Sequence, residues 1–152
     1  MANQVMNIAR GKAAYYAGLP EAADAILIVI LEATEADDVL NNYDDLGALL
    51  GAAGNTEATS TGYVRGTADG VVASVDDTAN TAKIVATDET FATIDQAGSE
   101  VWVKLLMAYD DDTGAGTDAN IIPLTHHDFS VTPNGGDIVA DFDATNGWWG
   151  SA

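Results

Sequence analysis

The chain contains no cysteine, which excludes a disulfide framework, a thiolate metal site and a cysteine nucleophile. Bases are scarce: five Lys and Arg stand against 24 Asp and Glu, for a formal net charge of −19. A surface this negative repels phosphate backbones, so nucleic acid is not an expected partner. The longest apolar run, residues 25–31, is too short to cross a bilayer as a helix, and no membrane partner is expected. Met1, Ala2, Asn3 and Gln4 supply no hydrophobic signal core. The protein is therefore expected to stay in the cytoplasm of the cell that makes it, unless an assembly carries it out. Catalytic motifs are also missing. None of Ser60, Ser74, Ser99, Ser130 and Ser151 sits in a Gly-x-Ser-x-Gly elbow, and no Walker loop or Gly-x-Gly-x-x-Gly occurs. Carboxylate pairs of the glycosidase kind carry no signal, because a chain with 24 acids always offers one. No enzyme is expected.

What is present suits one domain. At 152 residues and 47% hydrophobic content, the chain can bury roughly 68–70% of its unfolded surface. Its charge is unevenly distributed. Residues 1–20 hold Arg10 and Lys12 and no acid, a net of +2. Residues 21–152 hold all 24 acids and only Arg65, Lys83 and Lys104, a net of −21. The first segment reads as a basic arm or first strand (residues 1–20) that docks on its own body or on a neighbour. A β-rich domain (21–143) and a Trp-containing tail (144–152) follow. High salt, cations or a positively charged docking surface would relieve the self-repulsion, and a salt-rich source is the plain alternative explanation of the acidity.

The pattern is mainly β. Residues 12–16 read as a first strand, stopped by Gly18 and Pro20. Residues 25–31 are short and rich in β-branched side chains, which favours a buried strand. Leu46, Leu49 and Leu50 recur at helical spacing, so one short helix is expected near residues 44–53, with Asp44 as cap and Gly54 as stop. Residues 71–75 and 82–86 flank a turn-prone stretch and read as a hairpin. Residues 100–109 form the strongest strand. Val101, Val103, Leu105 and Met107 face one way; Trp102, Lys104, Leu106 and Ala108 face the other. A last hairpin is expected from residues 127–132 and 137–143 around Pro133, Asn134, Gly135 and Gly136. In its second strand Ile138, Ala140 and Phe142 alternate with Val139, Asp141 and Asp143. A chain of this kind closes as an antiparallel β-sandwich or barrel.

Four stretches are candidates for binding. Residues 110–118 pack four carboxylates, and Asp110, Asp112 and Asp118 are the suspects for a weakly held Ca²⁺ or Mg²⁺. Ala115 stands where an EF-hand needs glycine and Ile121 where it needs its bidentate acid, so an exposed acidic turn is the simpler reading. His126 and His127 are adjacent and point to opposite faces of a strand, which suits packing or hydrogen bonding better than chelation. Trp148 and Trp149 either fold onto the domain's own core or anchor in a neighbouring subunit. Arg10, Lys12, Tyr15 and Tyr16 mark the basic segment as a docking or oligomer contact.

Several of these stretches resemble small virion proteins encoded with the head genes of tailed bacteriophages. The matching features are Asn7-Ile8-Ala9-Arg10-Gly11-Lys12 followed by Tyr15-Tyr16, Asp24-Ala25-Ile26-Leu27 with Leu31-Glu32-Ala33, and Tyr43-Asp44-Asp45-Leu46. They continue in Tyr109-Asp110-x-Asp112-Thr113, in Ile122-Pro123-Leu124-Thr125-His126-His127-Asp128-Phe129 and in Val131-Thr132-Pro133-Asn134-Gly135-Gly136-Asp137-Ile138. The resemblance covers most of the chain up to about residue 142 and leaves out the Trp tail. It implies no cofactor and no catalytic residue. The role it implies is capsid decoration, a cement protein on the head exterior, bound to the major capsid protein and to itself, with a trimer as the expected oligomer. A tail, connector or fibre-base component, and a calcium- or carbohydrate-binding β module, are the alternatives.

Overall fold

Nine consecutive residues, Ala25–Ala33, are apolar at every position up to Leu31, and such a strand must be covered on both faces. The computed structural model describes residues 4–6, 8–9, 15–16, 18, 22–78, 81–96 and 98–151. Along it run β1 (Gln4–Val5), β2 (Ala25–Ala33), α1 (Asp37–Leu40), α2 (Leu46–Gly51), β3 (Thr56–Glu57), β4 (Gly66–Thr67) and β5 (Val72–Asp76). There follow β6 (Thr81–Val85), β7 (Glu89–Phe91), β8 (Trp102–Asp110), β9 (Ile122–Val131), β10 (Ile138–Ala140) and β11 (Trp149–Ser151). The fold is mainly β, and every pairing is antiparallel.

The central sheet has the order β1-β9-β8-β2-β3, with β4 also on β2. It has two free ends and does not close, so the barrel alternative is set aside. Register assigns its faces. Ile26, Ile28 and Ile30 lie opposite Tyr109, Met107 and Leu105, and Leu27 and Val29 opposite Ala108 and Leu106. The first set belongs to a core shared with Ile84, Phe91, Ile138 and Ala140 of the two small sheets, β11-β6-β5 and β10-β7, and with Phe142 and Trp148 of the segment between β10 and β11. The second set packs against Leu40, Leu46 and Leu49 of the two helices, with Met6 and Ile121. The result is a sandwich-like arrangement with a thin helical layer on its back. Each such Ile or Leu contributes about 1.5–3 kcal/mol by leaving water.

The expected helix is α2. Its cap is Asp45 rather than Asp44, because Asp45 Oδ1 accepts the Ala48 N–H at 2.7 Å. Two more first-turn donors, the N–H groups of Leu46 and Gly47, reach the carbonyls of Ile121 and Asp118, each at 2.8 Å. The helix stops at Gly51, short of Gly54, as Ala52 turns extended. The hairpin of β5 and β6 forms as expected.

Four expectations are corrected. Tyr15 and Tyr16 are helical rather than extended, while 12–14, the rest of that expected strand, lie outside the described residues. Trp102 does not share a face with Leu106; it joins the core of Leu105 and Met107, because the register slips between Trp102 and Lys104 and a bulge re-aims the side chain. The last two strands form no hairpin: β10 pairs with β7 instead. The loop between them is diverted by Ile94, whose backbone bonds Gly135 and Gly136 at 2.8 and 3.0 Å. Finally, α1 is a helix that the spacing did not announce.

The described parts of both terminal segments belong to the fold. β1 pairs with β9, and Met6 is 0% exposed. Trp148 is 5% exposed within the first core, and Trp149 packs against that core while pairing with Ile84 of β6. Gly147 makes the turn that delivers them: its φ is 77°, and a Cβ there would collide with the Ile84 carbonyl. Trp148→Ala is expected to cost about 3–5 kcal/mol in a urea melt, and Trp149→Ala clearly less. Equal and small losses would show that the tail is dispensable to the domain.

Candidate functional site

With five bases against 24 acids, the disposition of each cation decides what the surface offers. Arg65 lies just before β4 and is held by two carboxylates. Its Nε and Nη2 donate to Glu57 at 2.7 Å each, and its Nη1 and Nη2 to Asp118 at 2.6 and 3.0 Å. This double fork is the strong, bidentate kind of ion pair. It keeps Arg65 charged at any accessible pH and holds Asp118 below the usual carboxylate range. Lys104 of β8 is buried on the helix side of the sheet, its Nζ 2.6 Å from both Asp37 and Asp128. Burial alone would lower its pKa, but the two carboxylates outweigh that and raise it. Lys83 donates to the carbonyls of Ala144 and Thr145 at 3.3 and 2.6 Å. Among the described residues, every fully exposed charged side chain is therefore an acid, Asp38, Asp69, Asp95, Asp111, Asp137 and Asp141 among them.

The metal candidates are not brought together. Asp110 is buried and its Oδ1 accepts the Asp112 N–H at 3.1 Å, while Asp112 Oδ1 accepts the Gly114 N–H at 3.0 Å. These bonds shape a turn, and Asp118 is committed to Arg65. Among the described residues no group of three His, Asp or Glu is placed to share an ion.

The histidines stand on opposite faces of β9. His126 is 0% exposed, with Nε2 3.2 Å from Asn41 Oδ1 and a buried Nδ1 that finds no hydrogen-bond partner. Burial, then Lys104, lowers its pKa. Protonating Nδ1 would leave a cationic donor in the core without an acceptor. His127 bonds Thr125 Oγ1 at 2.9 Å and is pushed down to about 4 by burial, then by His126 and Lys104. It lines a cleft of about 200 Å³ with Leu105, Phe129, Phe142 and Trp148.

The sequence-predicted contact residues separate. Arg10 and Lys12 lie outside the described residues. Tyr15 is 56% exposed, whereas Tyr16 is buried with its ring 4.8 Å from that of Tyr109. Trp148 and Trp149 are core and near-core, as above. Sequence reasoning missed the Lys104–Asp37–Asp128 network. Its only signal was a lysine in the middle of the most apolar strand, which demands a counter-charge. Compared with known family models, curated proteins and solved structures, the chain finds no match.

Two outcomes follow. Lys104→Met strands Asp37 and Asp128 together and is expected to cost about 3 kcal/mol; a loss near zero in a urea melt would show the pair to be screened by solvent. Both histidines have folded pKa values below the ordinary 6.5, so their contribution is fully present above pH 6.5 and is lost as pH falls toward 4. For His127 the loss reaches about 3 kcal/mol at most. Melting of the wild type against His127→Gln between pH 7 and 4.5 reads this, and parallel curves would contradict it.

Proposed function

We propose that this chain is a virion structural protein, a decoration or cement protein that binds the outer surface of an assembled major capsid lattice and stabilises it. The observation that carries the reading is the segregation of charge. Among the described residues the exposed charged side chains are acids. Arg65 and Lys104 are each neutralised internally, and Lys83 is part-buried against two carbonyls, while in the sequence residues 1–20 carry Arg10 and Lys12 and no acid. Such a body repels copies of itself and nucleic acid in solution, and it needs a positively charged or lattice-organised surface to gather in number. A domain packed around two hydrophobic cores suits a component that acts by occupying a site. Binding to the assembled state alone stabilises that state by mass action. The resemblance to phage head proteins gives the class of lattice.

Co-sedimentation of the purified protein with shells of the presumed major capsid protein tests it. Saturable binding at a stoichiometry locked to the lattice is expected. It should weaken between about 0.1 and 1 M salt as the Debye length falls from about 10 to 3 Å, and should weaken further for Arg10→Glu with Lys12→Glu. Protein found at a single vertex or in tails would move it to a connector or tail component, and no attachment at any salt would end the decoration reading.

A further inference from the structure

Glu32 at the end of β2 and Glu100 just before β8 meet over the segment that follows β3. The Thr59 N–H lies 3.3 Å from Glu32 Oε2 and 3.1 Å from Glu100 Oε1, so both carboxyl groups address one donor. Glu100 is 8% exposed, and its Oε1 also accepts from Trp102 Nε1 at 3.2 Å, an N–H shared with Ser60 Oγ at 2.9 Å. Its other oxygen, Oε2, is buried and meets no hydrogen-bond donor. A buried acceptor left so costs about 1–3 kcal/mol, and more when charged.

Among the described residues no cation bonds to the pair. Glu57, on the adjoining strand, is bonded to Arg65 and to the Tyr63 hydroxyl. Lys104, the nearest base on β8, is held between Asp37 and Asp128 on the helix side of the sheet. Asp95 on the neighbouring loop is exposed, bonded to the Gln96 N–H, and Gln96 in turn donates to the Glu100 carbonyl rather than to its carboxylate. Two carboxylates in mutual reach cannot both ionise without penalty. One proton between them removes the repulsion and satisfies Oε2 at once.

We infer that Glu32 and Glu100 share one proton, the Glu32 O–H donating to Glu100 Oε2, and that the pair is a latch released by rising pH. Glu100 is the ionised member because three donors, from Thr59, Ser60 and Trp102, converge on it, whereas Glu32 has only the long contacts from Thr59 N–H and Oγ1, both 3.3 Å. The directions of titration agree. Burial first, then the bond to Glu100 and its charge, raise Glu32. For Glu100, burial acts upward but is outweighed by the Ser60 hydroxyl, Glu32 and the backbone N–H groups of Thr59 and Ser60. A raised folded pKa contributes stability that is complete below the ordinary glutamate value of about 4.3 and is lost as pH rises through the folded value. Release frees the 59–60 segment from the Trp102 indole, which sits within an aromatic cluster with Tyr63, Phe91 and Phe129.

Carboxyl ¹³C NMR of the wild-type protein, labelled at glutamate, tests this directly. The Glu32 Cδ midpoint should lie above about 4.3 and that of Glu100 below it. Hydrogen-exchange protection of the Trp102 indole N–H should fall as Glu32 ionises. Glu32→Gln keeps an N–H donor and cannot ionise, so its melting temperature relative to wild type should climb from pH 5 to pH 8. Glu32 titrating at or below the ordinary value overturns the latch, as does a Gln variant less stable than wild type across that range. Should the variant fail to fold, the wild-type titration decides alone.

Discussion

A strand that is apolar on both faces cannot offer either to water, and β2 imposes that condition on everything around it. Its even-numbered isoleucines require the small sheets, and its odd-numbered Leu and Val require the helices. β8, paired with it over seven positions, inherits the same double burial. The short elements are coverings. Neither α1, of four residues, nor α2, of six, would persist alone, since helices below about 12–15 residues are marginal in water. They exist because Leu40, Leu46 and Leu49 close the back of the sheet, and because backbone carbonyls of residues 118 and 121 receive the first N–H groups of α2.

Charge is organised by the same geometry. Lys104 sits in a strand with no solvent face, so it takes two carboxylates inward with it. Arg65 clamps Glu57, beside β2, to Asp118 in the β8–β9 loop, whose carbonyl accepts the Gly47 N–H of α2. With Arg65 and Lys104 spent on internal cross-links, the exposed charged side chains among the described residues are acids. Glu32 and Glu100 show the same shortage, two carboxyls addressing one backbone N–H with no base bonded to either among the described residues.

Strong local signals were readable in the sequence. β-branched runs gave β2, the β5–β6 hairpin and β8, and leucine spacing with an adjacent Asp gave α2. What failed were pairings and orientations that depend on partners far along the chain. β10 chooses β7 over its sequence neighbour because Ile94 captures the intervening loop backbone. Trp102 turns over at a bulge that only the β9 register reveals. Asp118 looked like an ion ligand among its neighbours in sequence, and Arg65, more than fifty residues away, claims it. The Glu32–Glu100 contact is of the same kind, with no local pattern to announce it.

The central sheet also determines how the chain must fold. Ala25 pairs with Asp110 and Gln4 with His126, so its closure waits for distant segments, and most of the loop-closure entropy is spent before any of those contacts forms. On a ribosome, β2 is made well before β8, and although β3 and β4 can pair one of its edges, the other stays open until β8 follows. During that interval its residues 25–31 are an uncharged aliphatic run of the kind that pairs with other chains. The strong negative charge carried by the rest of the sequence then has a kinetic use, holding nascent copies apart until the sheet can close.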